Sequence, residues 1–119
     1  MGNTIEYVSV KVKYNGQEKP YTISKGASIG TCDKNDMPQE TISKKTGPSG
    51  YMNIEAKSQK EFNSICDFLK RADADKNGKI DSKDLIFLEN NGGTKTLYSD
   101  GMGSIIGIDK SGKHFSVSW

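Results

Sequence analysis

The chain has 119 residues, of which 33% are hydrophobic and 27% charged, a length typical of one folded domain. Its net charge of +2 lacks the basic excess of a dedicated nucleic-acid binder and the high net charge typical of a disordered chain. No apolar run approaches the roughly 20 residues of a transmembrane helix, and no secretory signal pattern is present. We therefore expect a single domain over residues 1–119 with no nucleic-acid or membrane partner, and the sequence assigns it no compartment.

The first predicted element is a β-hairpin over residues 4–25. Apolar and polar residues alternate from Val8 to Tyr14, the period of a half-buried strand. Asn15-Gly16 follows, a dipeptide that favours a type I′ turn because both of its residues need positive φ. A turn at this point places Val10 opposite Tyr21 and Val8 opposite Ile23, so that apolar residues meet in register.

The return strand of this hairpin contains Pro20. Proline cannot donate a ladder hydrogen bond, so we expect the strand at a sheet edge or starting after the proline. Glycine and proline then interrupt residues 26–57. A structureless loop of that length is unusual in a compact domain, so we expect at least one further strand there, at no assigned position.

A helix–loop–helix is predicted over residues 58–91. Ser58 and Glu61 form a capping-box pattern at its start. Apolar residues then recur at the three-and-four spacing of one helix face. They are Phe62, Ile65, Cys66, Leu69 and Ala72, with Phe68 beside them. A shorter apolar cluster at 85–88 predicts the second helix, and residues 90–93 have the composition of a helix C-terminus.

Residues 94–119 again predict β structure. A candidate strand at 94–98 is followed by one with Ile106 and Ile108 on a single face, a turn at 109–112, and a last strand in which Phe115, Val117 and Trp119 alternate with polar residues. Our hypothesis is that this C-terminal hairpin joins the N-terminal hairpin in one sheet. The predicted class is α+β, with a helix–loop–helix flanked by N-terminal and C-terminal β-hairpins.

The segment between the two helical clusters reads Asp-Ala-Asp-Lys-Asn-Gly-Lys-Ile-Asp-Ser-Lys-Asp, residues 73–84. It matches the calcium loop D-x-[DN]-x-[DN]-G-x5-E at every specified position except the last, so residues 58–91 resemble an EF-hand. Oxygen atoms at alternate positions of a tightly curling chain converge on one hard cation. Gly78 permits the sharp turn that this curl requires.

The resemblance implies a set of metal ligands. They are Asp73, Asp75 and Asn77 through side-chain oxygens, Lys79 through its backbone carbonyl, and Asp81 and Asp84. Asp81 is expected to bind through a water or to cap the exiting helix. Asp84 stands where EF-hands usually have Glu, and its shorter side chain is expected to reach the ion with one oxygen. The expected cofactor is therefore Ca²⁺, with Mg²⁺ as a possible second ion.

A single loop of this kind favours a structural calcium staple, or a modest sensor, in a protein-interaction module. An unidentified protein or a second copy of the chain is the expected further partner. The alternative is a dockerin-like or cell-surface adhesion domain whose β surface is the functional site and whose metal is only structural. We expect no enzyme, because His114, the one histidine, lies on the polar face of a predicted strand. Cys32 and Cys66 are compatible with one disulfide or with two thiols.

Overall fold

The structure is a computed structural model that describes residues 6–32, 38–43, 51–91, 97–99, 104–108 and 114–119. In these residues the fold is α+β, as the sequence predicts, with two helices and two sheets. The elements in chain order are β1 (Tyr7–Tyr14), β2 (Gln17–Ser24), β3 (Ser28–Cys32), β4 (Pro38–Ser43), β5 (Tyr51–Glu55), α1 (Gln59–Ala72), α2 (Ser82–Asn91), β6 (Leu97–Ser99), β7 (Ser104–Ile108) and β8 (His114–Ser118).

The predicted N-terminal hairpin is confirmed from residue 7 onward, and residues 4 and 5 lie outside the described residues. Asn15 and Gly16 have φ of 47° and 83°, the positive values that a type I′ turn requires. The predicted pairs Val10–Tyr21 and Val8–Ile23 are both present. The first sheet has the order β2-β1-β5, so the proline-containing strand lies at an edge, as expected.

The second sheet has the order β4-β3-β8-β7-β6 and is antiparallel throughout. Strands β3 and β4 confirm that residues 26–57 hold further strands. Of the C-terminal strands, β8 pairs with β3 and β7 pairs with β8, so the prediction of one sheet containing both hairpins is wrong. The reason is that β1 pairs with β2 on one side and with β5, in parallel, on the other. Two predicted regions lie outside the described residues. They are residues 92–96, which include the predicted helix end and part of a predicted strand, and residues 109–112, the predicted turn.

Helix α1 joins the two sheets. The Ser58 hydroxyl accepts a hydrogen bond from the Glu61 N–H at 3.0 Å, which confirms the predicted N-cap. The helix packs against β1 of the first sheet and against β7 and β8 of the second. The Phe68 ring lies 6.0 Å from that of Phe115 in β8. The buried side chains of the helix are Phe62, Ile65, Phe68, Leu69 and Ala72, and they belong to one apolar cluster with both sheets.

Helix α2 buries fewer of its apolar side chains than the cluster at 85–88 suggests. Of its four consecutive apolar residues only Leu88 is buried, while Ile86 and Phe87 are 55% and 41% exposed. Consecutive residues point about 100° apart on a helix, so four in a row cannot all face the core. Neither α1 nor α2 is long and apolar enough to cross a membrane.

The two cysteines are thiols and not a disulfide. Cys32 in β3 is buried, whereas Cys66 in α1 is partly buried. Burial raises the pKa of the Cys66 thiol, so it is a weaker nucleophile near neutral pH than an ordinary surface thiol.

Two phenylalanines test the packing of the helices. Replacing Phe68, which is 4% exposed, with alanine should lower the free energy of unfolding by about 3 kcal/mol or more, because the cavity lies between α1 and the second sheet. The matched control Phe87→Ala on α2 should change it by less than about 0.5 kcal/mol. Urea unfolding followed by circular dichroism measures both, and equal losses would contradict this account of the core.

Candidate metal site

The loop between α1 and α2 curls around the carboxylate of Asp73. Its Oδ1 accepts a hydrogen bond from the Asn77 N–H at 3.2 Å, and its Oδ2 accepts one from the Gly78 N–H at 2.8 Å. Gly78 has a φ of 86°, the left-handed conformation that its position predicts. Lys76 also has a positive φ, 56°, which no sequence signal indicates. The Asp73 carboxylate thus organises the tight turn that follows α1.

Three carboxylates converge beside this turn. Asp73 is the residue at which α1 ends, Asp75 follows two residues later, and Asp84 lies in the first turn of α2. Each offers one oxygen, and these three atoms lie within 4.8 Å of one another. Ca²⁺ binds oxygens at about 2.3–2.6 Å, so two oxygens on opposite sides of the ion are about 5 Å apart. The cluster therefore has dimensions that suit a divalent cation.

Asp84 is the most enclosed member of this cluster, with 0% of its surface exposed. Its Oδ1 accepts a hydrogen bond from the Asp75 N–H at 3.3 Å, and its Oδ2 accepts one from the Asp81 N–H at 2.9 Å. These two bonds connect the entering part of the loop with the start of α2. The Asp84 carboxylate therefore holds the loop closed by accepting hydrogen bonds from main-chain N–H groups of the loop, and it also contributes an oxygen to the cluster.

The three carboxylates do not ionise independently. Burial raises the pKa of Asp84 to about 7, and burial also raises the pKa of Asp73. Burial acts on Asp75 too, but hydrogen bonds with Asp84 and Asp73 outweigh it and lower the pKa of Asp75. The ion pairs in the described part of the chain lie elsewhere, at Lys13–Glu18, Lys25–Glu6 and Arg71–Asp67. Close carboxylates without a cationic side chain are electrostatically suited to a metal ion.

The other predicted ligands occupy different places. The Asn77 side-chain oxygen accepts a hydrogen bond from the Lys79 N–H at 2.9 Å, within the turn. The ammonium group of Lys79 lies 4.7 Å from the centroid of the Tyr7 ring, and its carbonyl remains a predicted ligand. Asp81 is buried, and its carboxylate is not part of the three-oxygen cluster.

Asp81 has two hydrogen-bond partners that account for both of its carboxylate oxygens. Oδ1 accepts from the Lys83 N–H at 3.0 Å, which confirms the predicted cap of the exiting helix. Oδ2 accepts from the Tyr7 hydroxyl at 2.8 Å, and this bond is the largest cause of the raised pKa of Tyr7. The loop pattern did not identify Tyr7, because this residue is 74 positions away in the sequence. The water-mediated role of Asp81 stays a prediction.

No protein-family model, no curated protein and no solved structure matches this chain. The interpretation of the loop therefore depends on its residues and their geometry.

The raised pKa of Asp84 predicts a pH dependence of stability in the metal-free protein. An Asp titrates near 3.9 when unfolded, so between about pH 4 and pH 7 the folded state retains a proton that the unfolded state has released. The free energy of unfolding should fall across this window, by at most about 1.4 kcal/mol per pH unit from this group. Urea unfolding at several pH values, in the presence of a chelator, measures this fall in the free energy of unfolding. Asp84→Asn should flatten the slope and the exposed control Asp67→Asn should not; an unchanged slope in Asp84→Asn would contradict the assignment.

The positive φ of Gly78 predicts how a substitution there changes the free energy of unfolding. A Cβ at this positive φ is strained, so Gly78→Ala should lower the free energy of unfolding by about 1–2 kcal/mol, although the space around it is open. Gly26 is the matched control, because it also has open space but no positive φ, and Gly26→Ala should be neutral or slightly stabilising. Thermal unfolding of both variants compares them, and similar effects would exclude strain at Gly78.

Proposed function

We propose that this protein binds one Ca²⁺ ion through residues 73–84, which act as an EF-hand-like site between α1 and α2. The observation that carries the proposal is the convergence of Asp73, Asp75 and Asp84 oxygens within 4.8 Å, beside a glycine in the conformation that such loops require. An acidic surface cluster without a metal would keep its carboxylates solvated, whereas Asp84 is fully buried.

The proposed ligands are of three kinds. Asp73, Asp75 and Asp84 supply carboxylate oxygens, and Asn77 with the Lys79 carbonyl completes the middle of the shell. Asp81 reaches the ion through a water while it keeps its bond to Tyr7. With Asp84 rather than Glu in the last position the shell has about six oxygens, which is the number that Mg²⁺ prefers. Mg²⁺ should therefore compete with Ca²⁺ for the site.

The surroundings of the loop favour a structural staple over a sensor. A sensor EF-hand opens its helix pair and exposes an apolar groove. In this chain the apolar face of α1 packs against both sheets, so the same opening would expose the core. A metal that binds only the folded state stabilises it, by about 2.7 kcal/mol when the free ion is at a hundredfold excess over Kd. We propose that this stabilisation supports a protein-interaction module without catalytic activity.

Calorimetry with CaCl₂ tests the proposed site. The unmodified protein should bind one ion per chain, and prior MgCl₂ should weaken that binding by competition. Asp75→Asn removes one charged ligand and should weaken Ca²⁺ binding roughly tenfold or more. The control Asp67→Asn removes an exposed carboxylate of α1 and should bind as the unmodified protein does. Absence of binding at millimolar Ca²⁺ and Mg²⁺ would rule out the metal site.

Amide NMR during the same titration separates a staple from a switch. For a staple, the amide shifts should remain within residues 73–84 and the elements that touch them. A switch would add binding of an apolar dye and shifts in strands that lie away from the loop.

A further inference from the structure

One residue of the loop 73–84, Ile80, pairs with the edge of the first sheet. The Ile80 N–H donates a hydrogen bond to the Thr22 carbonyl at 2.8 Å, and the Ser24 N–H donates one to the Ile80 carbonyl at 2.8 Å. Ile80 thereby forms a parallel bridge with Ile23 on the outer side of β2. Both isoleucines are buried in the main apolar cluster. The edge strand of the hairpin is therefore the main-chain partner of the loop.

Tyr7 of β1 contacts the residues on both sides of Ile80. Its hydroxyl donates a hydrogen bond to Oδ2 of Asp81, and its ring lies under the ammonium group of Lys79. Tyr7 pairs with Ser24 in the hairpin register, so these contacts and the Ile80 bridge come from adjacent points of one sheet. Three successive loop residues are thus held by the same hairpin.

A chain of hydrogen bonds leads from Tyr7 to the carboxylate cluster. Tyr7 holds the Asp81 carboxylate, and the Asp81 N–H donates to Oδ2 of Asp84 at 2.9 Å. The other oxygen of Asp84 accepts from the Asp75 N–H at 3.3 Å. The position of the Asp84 carboxylate in the cluster therefore depends on the hairpin, although the three carboxylates of the cluster all belong to the loop.

We propose that the β1–β2 hairpin is the intramolecular partner of the metal loop and that Tyr7 is a positioning residue for metal binding, an inference that rests on the proposed function. Repulsion among those carboxylates of the cluster that are ionised favours an open loop when no cation is bound, and the hairpin opposes this opening. Apparent metal affinity falls in proportion to the fraction of molecules whose site is correctly arranged. Loss of the Tyr7 hydroxyl lowers that fraction and weakens binding.

A structural consequence is that the loop needs no second loop to pair with. The main-chain N–H and C=O of Ile80 are already bonded to β2, so a second copy of the chain has no free group at this residue. One ion should bind per monomer with a Hill coefficient of one, at any protein concentration used.

Two tyrosine variants test the positioning role. Tyr7→Phe should weaken Ca²⁺ binding by about three- to tenfold, the range of one hydrogen bond. Tyr21→Phe is the matched control: Tyr21 lies in the same hairpin, and its hydroxyl donates to the Cys66 carbonyl at 3.1 Å, away from the loop. It should weaken binding less than about twofold. Calorimetry with CaCl₂ measures both, and unfolding in chelator shows whether the two variants lose similar stability.

Amide hydrogen exchange of the unmodified protein gives a second readout that needs no variant. Calcium should increase protection of the Ile80 and Ser24 N–H groups, which form the bridge. The Ala56 N–H, which donates to the Lys13 carbonyl at the other end of β1, is the control and should change less.

The outcomes separate the two proposals. No binding of Ca²⁺ or Mg²⁺ to the unmodified protein overturns the proposed function and the positioning role together. Binding to the unmodified protein with equal losses in Tyr7→Phe and Tyr21→Phe overturns the positioning role alone. Unchanged protection of Ile80 and Ser24 on calcium binding likewise shows that the hairpin is not coupled to the site.

Discussion

The bridge between Ile80 and β2 is the contact on which the geometry of the acidic loop depends. Its two main-chain hydrogen bonds are both 2.8 Å long, and the Ile80 side chain lies in the apolar cluster shared by both sheets. A surface loop with several carboxylates would otherwise have many conformations. Because one residue in its middle is part of a sheet edge, the residues before and after it start from a defined position.

Electrostatic repulsion opposes the conformation that this bridge supports. Asp73, Asp75 and Asp84 lie close together, and burial raises the pKa of Asp84 to about 7. The main chain compensates in part, since backbone N–H groups donate to the carboxylates of Asp73 and Asp84. Backbone donors stabilise negative charge without neutralising it. A divalent cation would neutralise it, which is the physical basis of the function that we propose.

The two helices beside the loop differ in how they are held. One face of α1 is buried against both sheets, so the entry to the loop is rigidly placed. Helix α2 buries Asp84 and Leu88 but leaves Ile86 and Phe87 exposed. The start of α2 thus depends on bonds made by Asp81 and Asp84 rather than on a wide apolar contact. Because those two residues also belong to the loop, the order of α2 and that of the loop depend on each other.

Local chemistry explains which features the sequence determined by itself. The positive φ of Asn15 and Gly16, the Ser58 cap, the buried face of α1 and the left-handed Gly78 are each required by residues close together in the chain. The acidic residues that converge were also recognisable from their spacing alone. Only the tertiary structure decided that β1 pairs with β5, that β8 pairs with β3, and that Tyr7 and β2 hold the loop. These contacts join residues far apart in sequence, and their formation depends on which apolar faces share a core, which no short-range pattern specifies.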